Sequence, residues 1–262
     1  MIHAPAMSGP ADRSRVVVVM PAYNAELTLR QTYADLPREH YDHIILVDDA
    51  SRDDTVGVAK QLGLTVFKHD RNMGYGGNQK TCYRQALDAD AEIVVMVHPD
   101  YQYDPTLLPD MIAPIKRGEA DVVFGSRLLG QAAYQQGMPW WKYVANRFLT
   151  ACENLVFGLH LSEFHTGYRA YSRTILERVA FAANSNDFIF DQEIVAQFVR
   201  AHARFAEIRV PVRYFAEASS ASFTASLVYG TKILALLGRY LLHTTGIYKT
   251  SRLDPLPAAT RA

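Results

Sequence analysis

Three side chains able to hold a divalent cation fall on alternate positions just after an apolar run: His98, Asp100 and Gln102 in the stretch HPDYQYDP. In an extended chain alternate side chains share a face, so an imidazole, a carboxylate and an amide oxygen are expected to converge on one ion. The oxygen donors suit Mg2+ or Mn2+, and the imidazole tilts the choice toward Mn2+. Asp104, followed by Pro105, reads instead as the cap of the next helix. Four more polar clusters stand in the same relation to apolar runs: PAYN at 21–24, DDAS at 48–51, DRNMGYGGN at 70–78 and GSR at 125–127. Asp and Asn after a strand are usually turn formers. Five such tips in one chain exceed what turn chemistry alone supplies, and chemistry is expected where they meet.

Bringing five tips together requires strands that run the same way. Continuous β-branched runs at 15–20, 43–47, 64–68, 92–97 and 121–125 alternate with segments of helical period. That is the pattern of an α/β fold whose mostly parallel sheet is covered on both faces. In such sheets ligands bind outside the carboxyl ends of the strands. Ser51, with Asp54 three residues on, is expected to cap a helix running to about Leu62. After Gly125 the alternation weakens. A helix over 142–157 stopped by Gly158, a short strand over 167–171 and helices near 173–181 and 191–201 read as additions to the sheet. The expected organisation is a main domain over 13–224, a C-terminal amphipathic helix over 225–248, and flexible ends at 1–12 and 249–262. GYGG in the third tip is not a dinucleotide fingerprint, because it follows the third strand with the wrong spacing. Its glycines either let the backbone approach an anion at a helix N-terminus or form a plain loop.

Composition narrows the function classes. With 262 residues, 49% of them hydrophobic, the chain buries about 70–75% of its unfolded surface as one large or two small domains. Lys and Arg total 27, as do Asp and Glu, which removes a bulk electrostatic case for nucleic acid. Cys82 and Cys152 are too few for a disulfide scaffold, the N-terminus lacks signal-peptide order, and no window of about 18 apolar residues spans a membrane. A cytoplasmic location is expected.

Taken in order, VVVVMPAYNAE, ILVDDASRDDT, RNMGYGGNQ, the acidic tip, VFGSR, TGYRAYSR with Glu163 before it, FIFDQE and EIRVPVRY resemble the family 2 glycosyltransferases of GT-A fold. The likeness is to the polyprenyl-phosphate (dolichyl-phosphate) mannose and glucose transferases, and it covers about 15–213. The resemblance implies an inverting hexosyl transfer from a nucleotide diphosphate sugar to a polyprenyl phosphate, or to a saccharide hydroxyl. It implies that Pro21, Tyr23, Glu26, Asp48, Asp49, Asn72 and Gly74 bind the nucleotide sugar. The family's D-x-D-x-Q metal pattern falls on His98, Asp100 and Gln102, with Mn2+ or Mg2+ as cofactor. Arg127 and Arg169 are implied at phosphates and Asp191 at the base position. An ionised lipid phosphate would need no base; Asp191 then serves as an N-terminal residue of its helix.

Two departures stand out. His98 replaces the usual Asp, which lowers the site's negative charge by one. Protonated His98 cannot ligate, so activity is expected to rise between about pH 6 and 7. The stretch FAEASSAS lacks the basic residue common in that loop. In SLVYGTKILALLGRYLLH, Lys232, Arg239 and His243 are expected to form one ridge, opposite Leu227, Ile233, Leu234, Leu237 and Leu241. Such a helix either packs on the core or lies on a membrane surface, peripheral on its inner face. MPWWKY adds an aromatic and basic patch. Self-association is also open. The rival readings are a sugar nucleotidyltransferase, which lacks its expected Gly- and Lys/Arg-rich loop after the first strand, and a non-catalytic nucleotide-sugar binding module.

Overall fold

The structure is a computed structural model and describes residues 14–130, 138–211 and 223–257. The expected end at 1–12 and the stretch FAEASSAS lie outside the described residues. In chain order the first half runs β1 (Val16–Ala22), α1 (Glu26–Ala34), β2 (His43–Asp48), α2 (Thr55–Gln61), β3 (Thr65–Lys68), α3 (Tyr75–Asp88), β4 (Ile93–Met96), α4 (Leu108–Lys116) and β5 (Val122–Ser126). The second half runs α5 (Trp140–Phe157), β6 (Arg169–Ser172), α6 (Arg173–Glu177), α7 (Phe190–Arg200), β7 (Phe205–Arg209) and α8 (Phe223–Thr244).

All seven strands form one sheet in the order β3-β2-β1-β4-β6-β5-β7. The first five strands match the apolar runs, because successive valines feed opposite faces and both faces are covered. Val17 and Val19 enter a core with α3, α5, α6, α7 and α8, while Val16, Val18 and Met20 enter a second core with α1, α2 and α4. Each fully buried valine contributes about 1.5–3 kcal/mol of transfer free energy.

β6 is antiparallel to both neighbours, pairing Met96 with Arg169 on one side and Phe124 with Arg169 on the other. An antiparallel strand delivers its first residues, not its last, to the edge where its parallel neighbours end. Residues 163–169 thereby join the tips of β4 and β5. β7, in EIRVPVRY, extends the sheet parallel to β5.

Three local expectations are corrected. Ser51 does not cap α2: the helix starts at Thr55, and the Ser51 hydroxyl accepts from Asn24 N at 2.8 Å. In α8, His243 leaves the ridge of Lys232 and Arg239. It is 7% exposed, accepts from Thr250 N at 3.2 Å and faces Asp254 at 3.2 Å. Ile233, Leu236, Leu237 and Tyr240 form the core face, while Leu227, Leu234 and Leu241 stay exposed. The chain after Lys249, expected to be loose, makes a short 3-10 turn over Ser251–Leu253 and buries Leu253. Gly158 stops α5 as expected, with φ 68°, the left-handed region favoured by glycine.

Candidate active site

The tips of β1 and β2 are stitched together by their own turn residues. Asn24 (φ 52°) accepts from Arg52 N at 2.9 Å, Ala25 N donates to the Thr55 hydroxyl at 2.8 Å, and Glu26 N donates to Asp53 at 3.0 Å. The Glu26 carboxylate accepts from Asp54 N at 3.0 Å, so this expected nucleotide residue ties loop to loop. Burial pushes the Asp53 carboxyl up, but bonds from Thr55 and Glu26 N outweigh it and hold it below the usual range. Pro21 is enclosed within β1, whereas Tyr23 is 47% exposed on the rim.

Asp48 and Asp49 part company. Asp49 accepts from Met73 N at 2.7 Å and Gly74 N at 3.0 Å and bonds the His69 ring at 2.7 Å, which in turn reaches Thr81 at 2.9 Å. It clamps the loop that leads into α3. Asp48 is fully buried; one oxygen accepts from Ser51 N at 3.2 Å and the other has no hydrogen-bond partner among the described residues. A buried carboxylate oxygen left open is costly unless a ligand donates to it.

The glycine cluster packs against the chain before α7. Gly76 N donates to Asn186 O at 2.8 Å and Gly77 N to the same oxygen at 3.3 Å. A Cβ on Gly74 would lie 2.6 Å from Asn186 O, and one on Gly76 2.5 Å from Ser185 O. These glycines are needed because the chain before α7 presses on the start of α3. Gly74 N is spoken for by Asp49 and by Asn72 Oδ1 at 3.0 Å, which makes Asn72 and Gly74 parts of the loop's own scaffold.

At the β4 tip the stretch is not extended. Tyr101 has φ 58°, and Asp100 Oδ1 accepts from Gln102 N at 3.1 Å, forming a tight turn. The alternation argument for a shared face therefore fails, although the turn keeps Asp100 and Gln102 adjacent. Tyr101 donates to the Asp35 carboxylate of α1, and Thr28 donates to Pro99 O at 2.6 Å. Asp104 caps the next turn as expected, accepting from Thr106 N at 3.1 Å. The His98 ring stacks on Tyr75 with centroids 5.7 Å apart, and a Cβ on Gly167 would fall 2.9 Å from it. Burial pulls its pKa down against the charge of Asp100 and Asp191. Among the described residues no three His, Cys, Asp or Glu side chains form a ready metal cage. The donor set of one carboxylate, one amide oxygen and one imidazole is chemically suited to a divalent cation, which Asp100, Gln102 and His98 would hold.

Asp191, in the first turn of α7, is the hub of the far side. It accepts from the Tyr75 hydroxyl at 2.9 Å and the Gln79 amide at 3.0 Å, and pairs with Arg169 at 3.3 Å. Gln79 in turn accepts from Tyr83 at 2.7 Å. Burial raises the Tyr75 pKa well above its ordinary value, and the Asp191 charge adds to it, so Tyr75 stays a donor.

Both expected phosphate-binding arginines are turned inward. Arg169 is fully buried over the Phe124 ring and donates to Thr166 O at 2.7 Å, Phe164 O at 3.0 Å and Asp191 O at 3.3 Å. Burial opposes its charge, but Asp191 and three tyrosines hold it charged. It ties the Asp191 carboxylate to the chain that leads into β6. Arg127 is braced by Glu163, with Nε to Oε1 at 2.9 Å and N to Oε2 at 2.8 Å, and it donates to His165 O at 2.7 Å. Burial pushes the Glu163 carboxyl up, yet Arg127 and Asn146 more than offset this and hold it below the usual range.

His69, Tyr75, Gln79 and Asn78, whose amide bridges Ala22 O at 3.3 Å and Val47 O at 3.1 Å, were not singled out from sequence. Tyr75, Gln79 and Tyr83 follow one another at four-residue spacing on α3, which is the signal that could have placed them on one face.

The sequence pattern described as Glycosyl transferase family 2 matches residues 17–180. The UDP-N-acetylglucosamine–dolichyl-phosphate N-acetylglucosaminyltransferase of Methanococcus voltae is 29% identical over 62% of this chain and 71% of its own. The polyprenol monophosphomannose synthase of Mycolicibacterium smegmatis is 24% identical over 76% of this chain and 77% of its own. Among solved structures, glucosyl-3-phosphoglycerate synthase from Mycobacterium tuberculosis, in complex with Mn2+, UDP and phosphoglyceric acid, superposes with a TM-score of 0.66 at 19% identity, covering 95% of this chain and 86% of that one. That likeness establishes the GT-A architecture.

Proposed function

The chain belongs to glycosyl transferase family 2, and from that premise we propose that it moves a hexose from a nucleotide diphosphate sugar to a polyprenyl phosphate, inverting the anomeric centre. The observation that carries the reading is the pairing of two differently built carboxylates at one sheet edge, an open Asp48 oxygen for the nucleotide and a braced Asp191 for the transfer. One relative above carries dolichyl-phosphate in its name and the other polyprenol monophosphomannose, which supports the acceptor class.

In this reading the Asp48 oxygen without a partner accepts from a base N–H or a ribose hydroxyl, and Tyr23 on the rim flanks the base. Asp49 contributes by holding the 69–74 loop in shape. Asp100 and Gln102, with the His98 imidazole beside them, would hold a divalent cation, Mn2+ or Mg2+, which supplies positive charge to the departing diphosphate. A polyprenyl phosphate is already largely ionised near neutral pH, its second pKa being about 6, so it attacks without a base. Asp191 then fixes the Tyr75 hydroxyl and the chain around it. With a saccharide acceptor, Asp191 would have to take the hydroxyl proton.

The test incubates the protein and Mn2+ with UDP- and GDP-hexoses and either a short-chain polyprenyl phosphate or the corresponding polyprenol. A glycolipid is expected from the phosphate and none from the polyprenol. Transfer to saccharides alone overturns the acceptor assignment, and tight nucleotide binding without turnover on any acceptor overturns the enzyme in favour of a binding module.

A further inference from the structure

Helices α5 and α8 lie side by side, with Leu149 against Gly230 and the rings of Phe157 and Tyr240 5.0 Å apart. Both bury one face in the same core. The opposite faces carry a second apolar stripe: Trp140, Val144 and Phe148 at four-residue spacing on α5, and Leu227, Leu234 and Leu241 at seven-residue spacing on α8, all 44–67% exposed. Large apolar side chains in register on two adjacent helices are not the scattered exposures normal for a surface.

The charge around these stripes is one-sided. Over residues 138–162 and 223–253 the chain has six Lys or Arg, namely Lys142, Arg147, Lys232, Arg239, Lys249 and Arg252, against a single carboxylate. That carboxylate, Glu153, is fully buried, 3.1 Å from His165. The chain as a whole balances 27 against 27, so the excess is local. Lys232 and Arg252 are drawn to Asp187 and Glu193, so the outer face presents apolar side chains, a tryptophan at one end, and Lys142, Arg147, Arg239 and Lys249 around them.

From this complementarity we propose that the α5–α8 face docks on an anionic lipid bilayer, lying in its surface. Apolar side chains enter the acyl boundary and the cations meet lipid phosphates. No described helix is long and apolar enough to cross a membrane, in keeping with a face that lies flat. A second copy of the chain is a poorer occupant, since a self-complementary interface would set cation against cation. The same helix reaches the site by its inner side: Tyr229, packed on the core, donates to Gln192 at 2.6 Å, next to Asp191, and Lys232 pairs with Asp187. Docking rests on the surface itself; its use in delivering a lipid phosphate rests on the proposed acceptor.

The experiment is co-sedimentation of the full chain with phosphatidylcholine vesicles, with and without phosphatidylglycerol, at two salt concentrations. Binding is expected only with phosphatidylglycerol and is expected to weaken with salt. Arg239→Ala and Lys249→Ala should each lower partitioning roughly fivefold, and Phe148→Ser combined with Leu234→Ser should abolish it, with thermal midpoint and UDP or GDP binding unchanged. Partitioning indifferent to phosphatidylglycerol or to these variants overturns the proposal, as does a dimer that the Phe148→Ser, Leu234→Ser pair dissociates. A protein that glycosylates detergent-dispersed polyprenyl phosphate but ignores vesicles refutes docking alone. One that binds vesicles but transfers no sugar refutes the acceptor reading alone.

Discussion

At the tip of β2, Asp48 and Asp49 bond to groups 3 to 25 residues further along the chain: Ser51, His69, Met73 and Gly74. At the start of α7, Asp191 bonds to Tyr75 and Gln79, 116 and 112 residues away, and pairs with a fully buried arginine. The first centre is made of turns and is held by backbone N–H groups. The second exists only once β6 has inserted between β4 and β5 and α7 has closed on α3. A local polar centre can be altered with modest loss, whereas an interior charge pair is bound up with global stability, because removing either partner strands the other in low dielectric.

The sharpest way to break this contrast is Arg169→Met, which leaves Asp191 buried without its cation and three carbonyls without a donor. A loss of about 3–5 kcal/mol in urea unfolding is expected, and a loss below 1 kcal/mol would show that the pair is solvated and the contrast false. Gly76→Ala comes next, since its Cβ must displace Ser185 O and the Phe190 Cβ, 2.5 and 2.7 Å away. It should cost about 1–3 kcal/mol with little effect on nucleotide affinity in isothermal titration. A selective loss of nucleotide binding would instead return the glycines to an anion site.

Within the β2 centre the two acids should separate. Asp49→Asn strands one of its donors and should cost the free protein about 1–3 kcal/mol. Asp48→Asn should leave the free protein's thermal midpoint nearly unchanged yet shrink the midpoint rise caused by UDP or GDP. Equal behaviour of the two variants would erase the division of labour assigned to them. The smallest effect concerns Glu163, whose carboxyl is held below the ordinary range by Arg127. Its contribution to stability is complete above the unfolded value of about 4.3 and is lost as pH falls through the lower folded value. The Glu163→Gln variant should therefore show a shallower acid limb in stability against pH.

Legibility in the sequence followed the same divide. Val16–Ala22 and His43–Asp48 were readable because a parallel strand covered on both faces must be apolar throughout, and Gly158 because a helix stop at positive φ selects glycine. Asp104 was readable as a cap, its partner being two residues away. An arginine in a motif does not reveal which way it turns, and the carboxylate partners of Arg127 and Arg169, Glu163 and Asp191, were not legible. The extended geometry expected around Asp100 failed for a comparable reason: Tyr101 takes a left-handed conformation that its bond to Asp35 of α1 helps to hold. In α8, apolar residues at helical spacing announced an amphipathic helix but not that two of its faces would be apolar, one buried and one exposed.

The amino-acid sequence by itself determined the class of the sheet, the edge at which polar tips collect and the family, since apolar runs, turn residues and ordered motifs are properties of neighbours along the chain. Only the tertiary structure decided which acid is clamped and which is left open, that Gly76 and Gly77 donate to Asn186 O, and that the arginines pair with carboxylates. Those outcomes depend on what a side chain meets after burial. The energy of leaving a buried charge or N–H unpaired is set by partners that can lie a hundred residues away.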